Sequence, residues 1–234
     1  MRSHIGLGLK EKGKYRKHSY AQCGEDLIVR FIFKQIGITS PSYWDVGAYD
    51  PYKFSNTALL YENGSRGVNV EPNPTLFERF QKYRKEDTNL NVGVSGTSGQ
   101  GKYYLMDVPA LNTFSYSATE EYIREGHKMV GEIVLPLITM ADISRQHFAG
   151  MWPDFLSLDV EGMDLEILQT LPYDCDQLHV ICVETISYSR DGSGEKDKGT
   201  AALLESKGYL LYADTHINSI FVKKVSWHRG RPAK

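Results

Sequence analysis

The stretch YLLYADTHINSIFVKK (Tyr209–Lys224) holds two apolar runs separated only by His216, Ile217 and Asn218. So short a connection cannot carry a crossover. The two runs therefore predict a hairpin whose last strand is antiparallel to the one before it. Upstream the pattern changes. EDLIVRFIFKQIG (Glu25–Gly37) reads as a helix closed by Gly37, SNTALLYENG as a helix with Ser55 as its N-cap, and TLFERFQKYRK as a helix with a stripe at Leu76, Phe80 and Tyr83. Between and after them, SYWDVG, RGVNVEPNP, DFLSLDVEG and QLHVICVET are short apolar runs that end in acids. Another helix is expected near 198–207. Alternating helices and apolar strands predict an α/β, Rossmann-like, mostly parallel sheet with helices on both faces, to which the hairpin adds one antiparallel strand near the C-terminus. NLNVGVSG, GKYYLMDV and EIVLPLITMADI read as further strands, the last running into a short helix. Residues 109–131 carry weaker signals, with SATEEYIREG as a helix capped near Ser117 or Thr119.

The chain has 234 residues, 41% hydrophobic and 24% charged, enough for one large domain with its own core. No apolar run reaches the roughly 20 residues of a membrane span, and the first residues lack the apolar core of a signal peptide, so a cytoplasmic protein is expected. Cys23, Cys175 and Cys182 are an odd count without paired spacing, which argues against a disulfide framework or a zinc site. The net charge of -2 is uneven. Residues 1–18 carry six Lys/Arg against Glu11, and residues 223–234 carry five with no acid. These ends divide the chain into a basic extension (1–18), a domain (19–225) and a basic tail (226–234). Solvated ends fit that pattern better than a nucleic-acid surface, given the balanced total.

In an open α/β sheet, ligands bind outside the C-terminal ends of the strands. Four such ends carry an acid: Asp45, Glu71, Asp159 and Glu184. Glu71 follows Asp45 by one strand–helix–strand unit, the position from which an acid accepts the hydroxyl protons of a ribose. A carboxylate held by backbone N–H groups before a turn is the plainer alternative. The first turn separates the ribose-bearing cofactors. A dinucleotide needs glycines that bring backbone N–H groups to its pyrophosphate. DVGAYDP has Gly47 alone, a bulky Tyr49, two acids and a proline. Acids there repel phosphate and suit a cation. S-adenosylmethionine is a nucleoside with a sulfonium and an ammonium and no phosphate. Gly47 would let its backbone approach closely. A single inserted antiparallel strand also matches the methyltransferase variant of the doubly wound fold better than the dehydrogenase one.

With those residues in place the chain resembles the FkbM family of S-adenosylmethionine-dependent methyltransferases. The matching segments are SYAQCGEDLIV, WDVGAYDP, SNTALLYENGSRGVNVEPNP, NVGVSG, DFLSLDVEGMDLEIL and GYLLYADTHINSIFV, in order from about residue 19 to 222. The resemblance implies a seven-stranded sheet and O-methylation of a sugar, glycan or other small hydroxylated acceptor. By motif position it implies that Asp45, Gly47 and the Tyr49 turn meet the methionine part of the cofactor. Glu71 would hold the ribose, with Pro72 and Asn73 beside the adenine and Val94 and Ser95 flanking it. Asp159 and Glu161 would lie at the methyl-transfer centre. The departure from the pattern is the missing second glycine of the first turn.

Other residues have two readings. Gln22, Glu25 and Asp26 open the first helix, where acids stabilise a first turn and where a polar group also reaches the amino-acid end of a cofactor. The triplet from Ser55 to Thr57 is either a cap or a cofactor contact. His216 in the hairpin turn is a candidate general base for a hydroxyl. Asp159 and Glu184, ending neighbouring strands, are candidate Mg²⁺ ligands, with metal-free hydrogen bonding as the alternative. The polar loop from Ile186 to Lys198 is placed to cover the acceptor. Three competing functions are a nicotinamide-dependent reductase, which the missing glycines disfavour, an inactive methyltransferase-like binding protein, and a nucleic-acid methyltransferase, for which no Asn-Pro-Pro-aromatic motif is present.

Overall fold

The computed structural model of the protein describes residues 15–187 and 194–229. In chain order the elements begin with α1 (Glu25–Ile36), β1 (Tyr43–Val46), α2 (Ala58–Glu62), β2 (Gly67–Val70), α3 (Pro74–Tyr83) and β3 (Thr88–Leu90). Next come β4 (Gly93–Val94), β5 (Gly99–Met106), a 3-10 turn at Pro109–Leu111, α4 (Tyr116–Arg124), β6 (Met129–Ile138) and α5 (Met140–His147). The chain continues through β7 (Phe155–Leu158), α6 (Asp164–Gln169), β8 (Val180–Glu184), α7 (Lys198–Ser206), β9 (Tyr209–Asp214), β10 (Asn218–Lys223) and α8 (Lys224–Arg229).

Seven strands form one sheet in the order β3-β2-β1-β7-β8-β10-β9. Every strand of it is parallel except β10, which runs antiparallel to both β8 and β9. The hairpin is as the sequence predicts, and its last strand is wedged between β8 and β9 rather than added at the edge.

Strand residues point alternately to the two faces, and the two faces have separate cores. Trp44, Val46, Leu156, Leu158, Ile181, Val183 and Phe221 face α5, α6 and α7 through Ile143, Ile167, Leu168 and Leu204. Tyr43, Phe155, Val180, Ile220 and Val222 face α1, α2 and α8 through Val29, Ile32, Phe33, Leu60 and Trp227. Phe155 has no exposed surface and meets Phe33 edge-on. Its truncation to Ala is worth about 3–5 kcal/mol. On this second face one row is polar: Asn69, Asp45, Ser157 and Cys182 lie side by side in register. That row sits at the level of the strand ends.

The remaining strands form a separate sheet, β4-β6-β5, which the sequence reading does not distinguish from the main one. The C-terminal tail expected from residue 226 starts as structure: α8 packs Trp227 against Tyr212 with ring centroids 5.0 Å apart. Its basic register hides the one aromatic that anchors it. Residues 1–14 and 230–234 of the two basic ends lie outside the described residues.

Candidate active site

A cavity of about 400 Å³ opens at the C-terminal ends of β1, β2, β7 and β8. Asp45, Glu71, Asp159, Glu161 and Glu184 all line it. The turn after β1 forms its floor, and its geometry follows from Gly47. Gly47 has φ 78, and a Cβ there would lie 1.6 Å from the Asp159 carbonyl oxygen. The glycine is therefore needed for close packing of the turn on the end of β7, and it also lines the cavity where the sequence expects a ligand.

The turn's backbone donors are all spoken for. Gly47 and Ala48 N–H both donate to the Val70 carbonyl at 3.0 Å, Tyr49 N–H donates to Glu71 Oε2 at 2.7 Å, and Asp50 N–H donates to the Ala48 carbonyl. Asn73 N–H donates to the other Glu71 oxygen at 2.7 Å. Glu71 thus clasps the β1 and β2 turns together, and each of its oxygens keeps a lone pair for a further donor. No N–H from Gly47 to Asp50 remains for a pyrophosphate.

Behind the floor lies a buried network that the sequence reading does not anticipate. Asp45 Oδ2 accepts from Thr57 Oγ1 at 2.6 Å. Arg84, with no exposed surface, donates to Thr57 Oγ1, to Tyr43 Oη, to the Pro51 carbonyl and to Asp87. Asp87 in turn accepts from Tyr43 Oη at 2.6 Å and from Gly67 N–H at 2.9 Å. The ion pair is hydrogen-bonded around its rim, which is the condition for a buried charge to be tolerated.

Burial dominates the electrostatics. It pushes the Asp45 carboxyl up to about 6, against the pull of Thr57 and Arg84. It pushes Glu71 up to about 8, against its two backbone donors. Asp159 rises to about 6 and Asp164, at the start of α6, to about 7. Glu161 and Glu184 are raised well above the usual carboxylate range by burial and by the Asp159 charge. Asp159 is itself exposed, which limits how far burial can push it. Asp159, Glu161 and Glu184 each place an oxygen within 4.8 Å of the other two. Carboxylates that close share protons or require a cation.

The cover comes from the second sheet and the segment after β5. Tyr103 on β5 and residues 109–114 line the upper wall, and the Tyr103 and Phe114 rings sit 4.7 Å apart. Thr113 Oγ1 donates to the Glu161 carbonyl at 2.8 Å, and Tyr122 Oη on α4 donates to the Glu161 carboxylate. Glu161 itself has φ 53, an uncommon conformation for a residue with a Cβ, and these two contacts hold it there.

The sequence profile described as Methyltransferase FkbM domain matches residues 45–211. The chain belongs to the FkbM methyltransferase family. No curated protein matches it by sequence. Among solved structures, precorrin-6y C5,15-methyltransferase from Geobacter metallireducens shares 11% identity at a TM-score of 0.42, over 84% of this chain and 87% of that one. At that level of likeness no site residue is transferable.

In this FkbM protein the expected site residues, three of which lie outside the matched span, divide into two sets. Gln22, Asp45, Gly47, Tyr49, Glu71, Pro72, Val94, Asp159, Glu161, Glu184 and His216 reach the one cavity. His216 stands exposed at its mouth with φ 76, its N–H donating to Asp214 Oδ1. Asp26, Ser55, Asn73 and Ser95 do not line it. Asp26 accepts from Ser19 Oγ, Tyr20 N–H and Leu27 N–H, so its carboxylate is consumed in pinning the entry to α1. Ser55 Oγ accepts from Thr57 and Ala58 N–H, the capping alternative. Asn73 caps α3 through Thr75 N–H, and Ser95 Oγ donates to the Thr97 carbonyl. Glu25, the third of the acids and amides opening α1, accepts from Thr215 Oγ1 and Asn218 Nδ2 and ties α1 to the hairpin.

Of the loop expected to cover the acceptor, residues 188–193 lie outside the described residues. Its base is a ladder in which Ser187 N–H donates to the Glu195 carbonyl and Asp197 N–H to the Thr185 carbonyl. The residues missed from sequence are Tyr103, Phe114 and Tyr122. Alternation in GKYYLM was a signal for Tyr103; Tyr122 lies on the helix α4, where nothing local marks its partner, and Phe114 lies in an irregular segment.

Proposed function

We propose that this FkbM methyltransferase uses S-adenosylmethionine and transfers its methyl group to a hydroxyl of a small molecule or glycan. The observation that carries the reading is the exhausted first turn: its N–H groups serve the protein and a carboxylate, which leaves no cradle for pyrophosphate. The donor set of the cavity suits the cofactor. Asp45 and Gln22 would face its methionine end, Glu71 its ribose hydroxyls, and Val70, Pro72, Leu76, Val92 and Val94 would enclose the adenine. When bound, the cofactor supplies an electrophilic methyl group carried on a sulfonium.

The remaining work falls to the chain's own residues. Asp159 is the base we assign to the acceptor hydroxyl, with its carboxyl near 6 and so ionised at neutral pH. Tyr122 and Thr113 hold Glu161, which orients the acceptor. His216 is the alternative base at the cavity mouth. Asp159, Glu161 and Glu184 also form a hard-oxygen set compatible with Mg²⁺, but proton transfer to Asp159 needs no ion. Three free thiols suit a reducing, cytoplasmic compartment.

Calorimetry tests the cofactor. S-adenosylmethionine and S-adenosylhomocysteine should bind and NADH should not; binding of NADH alone would overturn the reading. Methyl transfer after exhaustive chelation should be unchanged. Loss of activity restored by Mg²⁺ would move Asp159 and Glu184 from proton transfer to metal binding.

A further inference from the structure

The cavity is one-sided in charge. Five carboxylates line it, and no Lys or Arg does among the described residues. Among the described residues, several cations close in sequence to the lining segments are engaged elsewhere. Arg84 is buried against Asp87, Arg79 pairs with Asp50, and Lys196 pairs with Asp214 at 2.7 Å. Lys53 lies over the Phe54 ring, 4.8 Å from its centroid.

The two ends of the cavity also differ. One end is walled by Val70, Pro72, Leu76, Val92 and Val94, the side given above to the adenine. The other is walled by Gln22, Asn56, Glu184, Ser187, His216 and Asn218. At this polar end the unmatched capacity is for accepting hydrogen bonds. Asn56 Nδ2 donates to Ser157 Oγ at 3.2 Å and to Cys182 Sγ, while its buried Oδ1 has no partner among the described residues. Asn218 Nδ2 is already given to Glu25. Glu184 and Asp159 add carboxylate oxygens. A ligand that completes this end brings donors, as hydroxyl or ammonium groups do, and no negative charge.

Resting on the methyltransferase reading, we propose that the polar end selects an unphosphorylated, hydrogen-bond-donating polyol. A glycoside or amino-sugar glycoside fits; the same sugar carried as a phosphate or nucleotide diphosphate does not. A phosphate brought beside Asp159, Glu161 and Glu184 meets a cluster that already holds negative charge on Asp159, with no described cation to offset it.

The test is calorimetry on the full chain at fixed ionic strength, with and without S-adenosylhomocysteine. The probes are a panel of methyl glycosides and amino-sugar glycosides, each matched to its sugar phosphate and its nucleotide diphosphate sugar. At least one unphosphorylated member should bind, about 30-fold or more tighter than its phosphorylated match. Asp159→Asn, checked for an unchanged melting temperature or a higher one, should narrow that gap to under about 10-fold. Equal or tighter binding of the phosphorylated form overturns the proposal. So does a panel in which no unphosphorylated sugar binds, or a gap that Asp159→Asn leaves unchanged. Sugars that bind while S-adenosylhomocysteine does not would sink the cofactor reading and leave the acceptor class standing.

Discussion

The floor of the cavity and its cover are built on different physical terms. The floor is the end of a parallel sheet whose central strands β1 and β2 are buried along their whole length. Its polar groups are matched one by one: Glu71 with two backbone donors, Asp45 with Thr57, Arg84 with four partners. The cover is a three-stranded sheet in which β6 alternates between exposed and half-buried residues, above a small core of Met106, Leu111, Ala118 and Tyr122. The cover walls the site with Tyr103 and residues 109–114 and is hydrogen-bonded to it through Thr113 and Tyr122, both to Glu161. A rigid floor paired with a lightly held cover separates two tasks, fixing a cofactor in one geometry and admitting an acceptor.

The most severe way to break the floor is at Gly47. Gly47→Ala places a Cβ against the Asp159 backbone, which cannot yield without parting β1 from β7. The expected loss is about 4 kcal/mol or more, or failure to fold, measured by urea denaturation. Gly24→Ala is the control. Gly24 shares a positive φ of 88, but a Cβ added there would meet nothing within 4 Å, so only the backbone preference is lost, about 1 kcal/mol. Equal losses at both sites would mean that the contact with β7 does not matter.

Floor and cover should also separate in binding. Glu71→Ala should weaken cofactor binding by about 2–3 kcal/mol, the scale of charge-assisted hydrogen bonds, with the fold retained. Tyr122→Phe should raise the acceptor KM several-fold and leave cofactor affinity unchanged. If both variants change both affinities, the division between floor and cover is wrong.

A smaller effect is expected in the pH dependence of stability. Asp45, Glu71, Asp159 and Asp164 all have folded values raised above their unfolded ones, to about 6, 8, 6 and 7. As pH rises from about 4, the unfolded chain releases these protons first. Their contribution to stability is therefore full below about pH 4 and is lost as pH climbs through about 6 to 8. The cofactor-free protein should melt several degrees lower at pH 8 than at pH 5.5, and Glu71→Gln should flatten that slope. A melting temperature that rises over this interval would show that the site acids are not held protonated.

The same division governs what was legible in the sequence. Asp45, Glu71, Asp159 and Glu184 end apolar strands, and the rule that ligands gather at such ends brings them to one place without knowledge of any contact. Ser55 takes its capping alternative because a first turn leaves N–H groups that a nearby side-chain oxygen satisfies, while Asp26 is held by Ser19 and Tyr20 of the segment that precedes the helix. Arg84 was invisible for a different reason. It closes a helix in a polar run, and only the fold brings Tyr43, Thr57 and Asp87 around it. Tyr122 and Phe114 lie in short or irregular pieces whose partners are distant in sequence. The second sheet escaped notice because a strand signal does not name the sheet it joins.

The position of β10 bears on how the chain comes into being. It lies between β8 and β9, so during synthesis both of those strands are complete before their common neighbour exists. Until residues 218–223 leave the ribosome, β8 presents an unpaired edge and β9 has no place in the sheet. The main sheet therefore closes only once residues 218–223 have been made, and α8 then seats Trp227 over the finished face. Nascent chains stalled before Asn218 would carry open strand edges that invite mispairing, which makes this hairpin the step at which the newly made protein passes from vulnerable to safe.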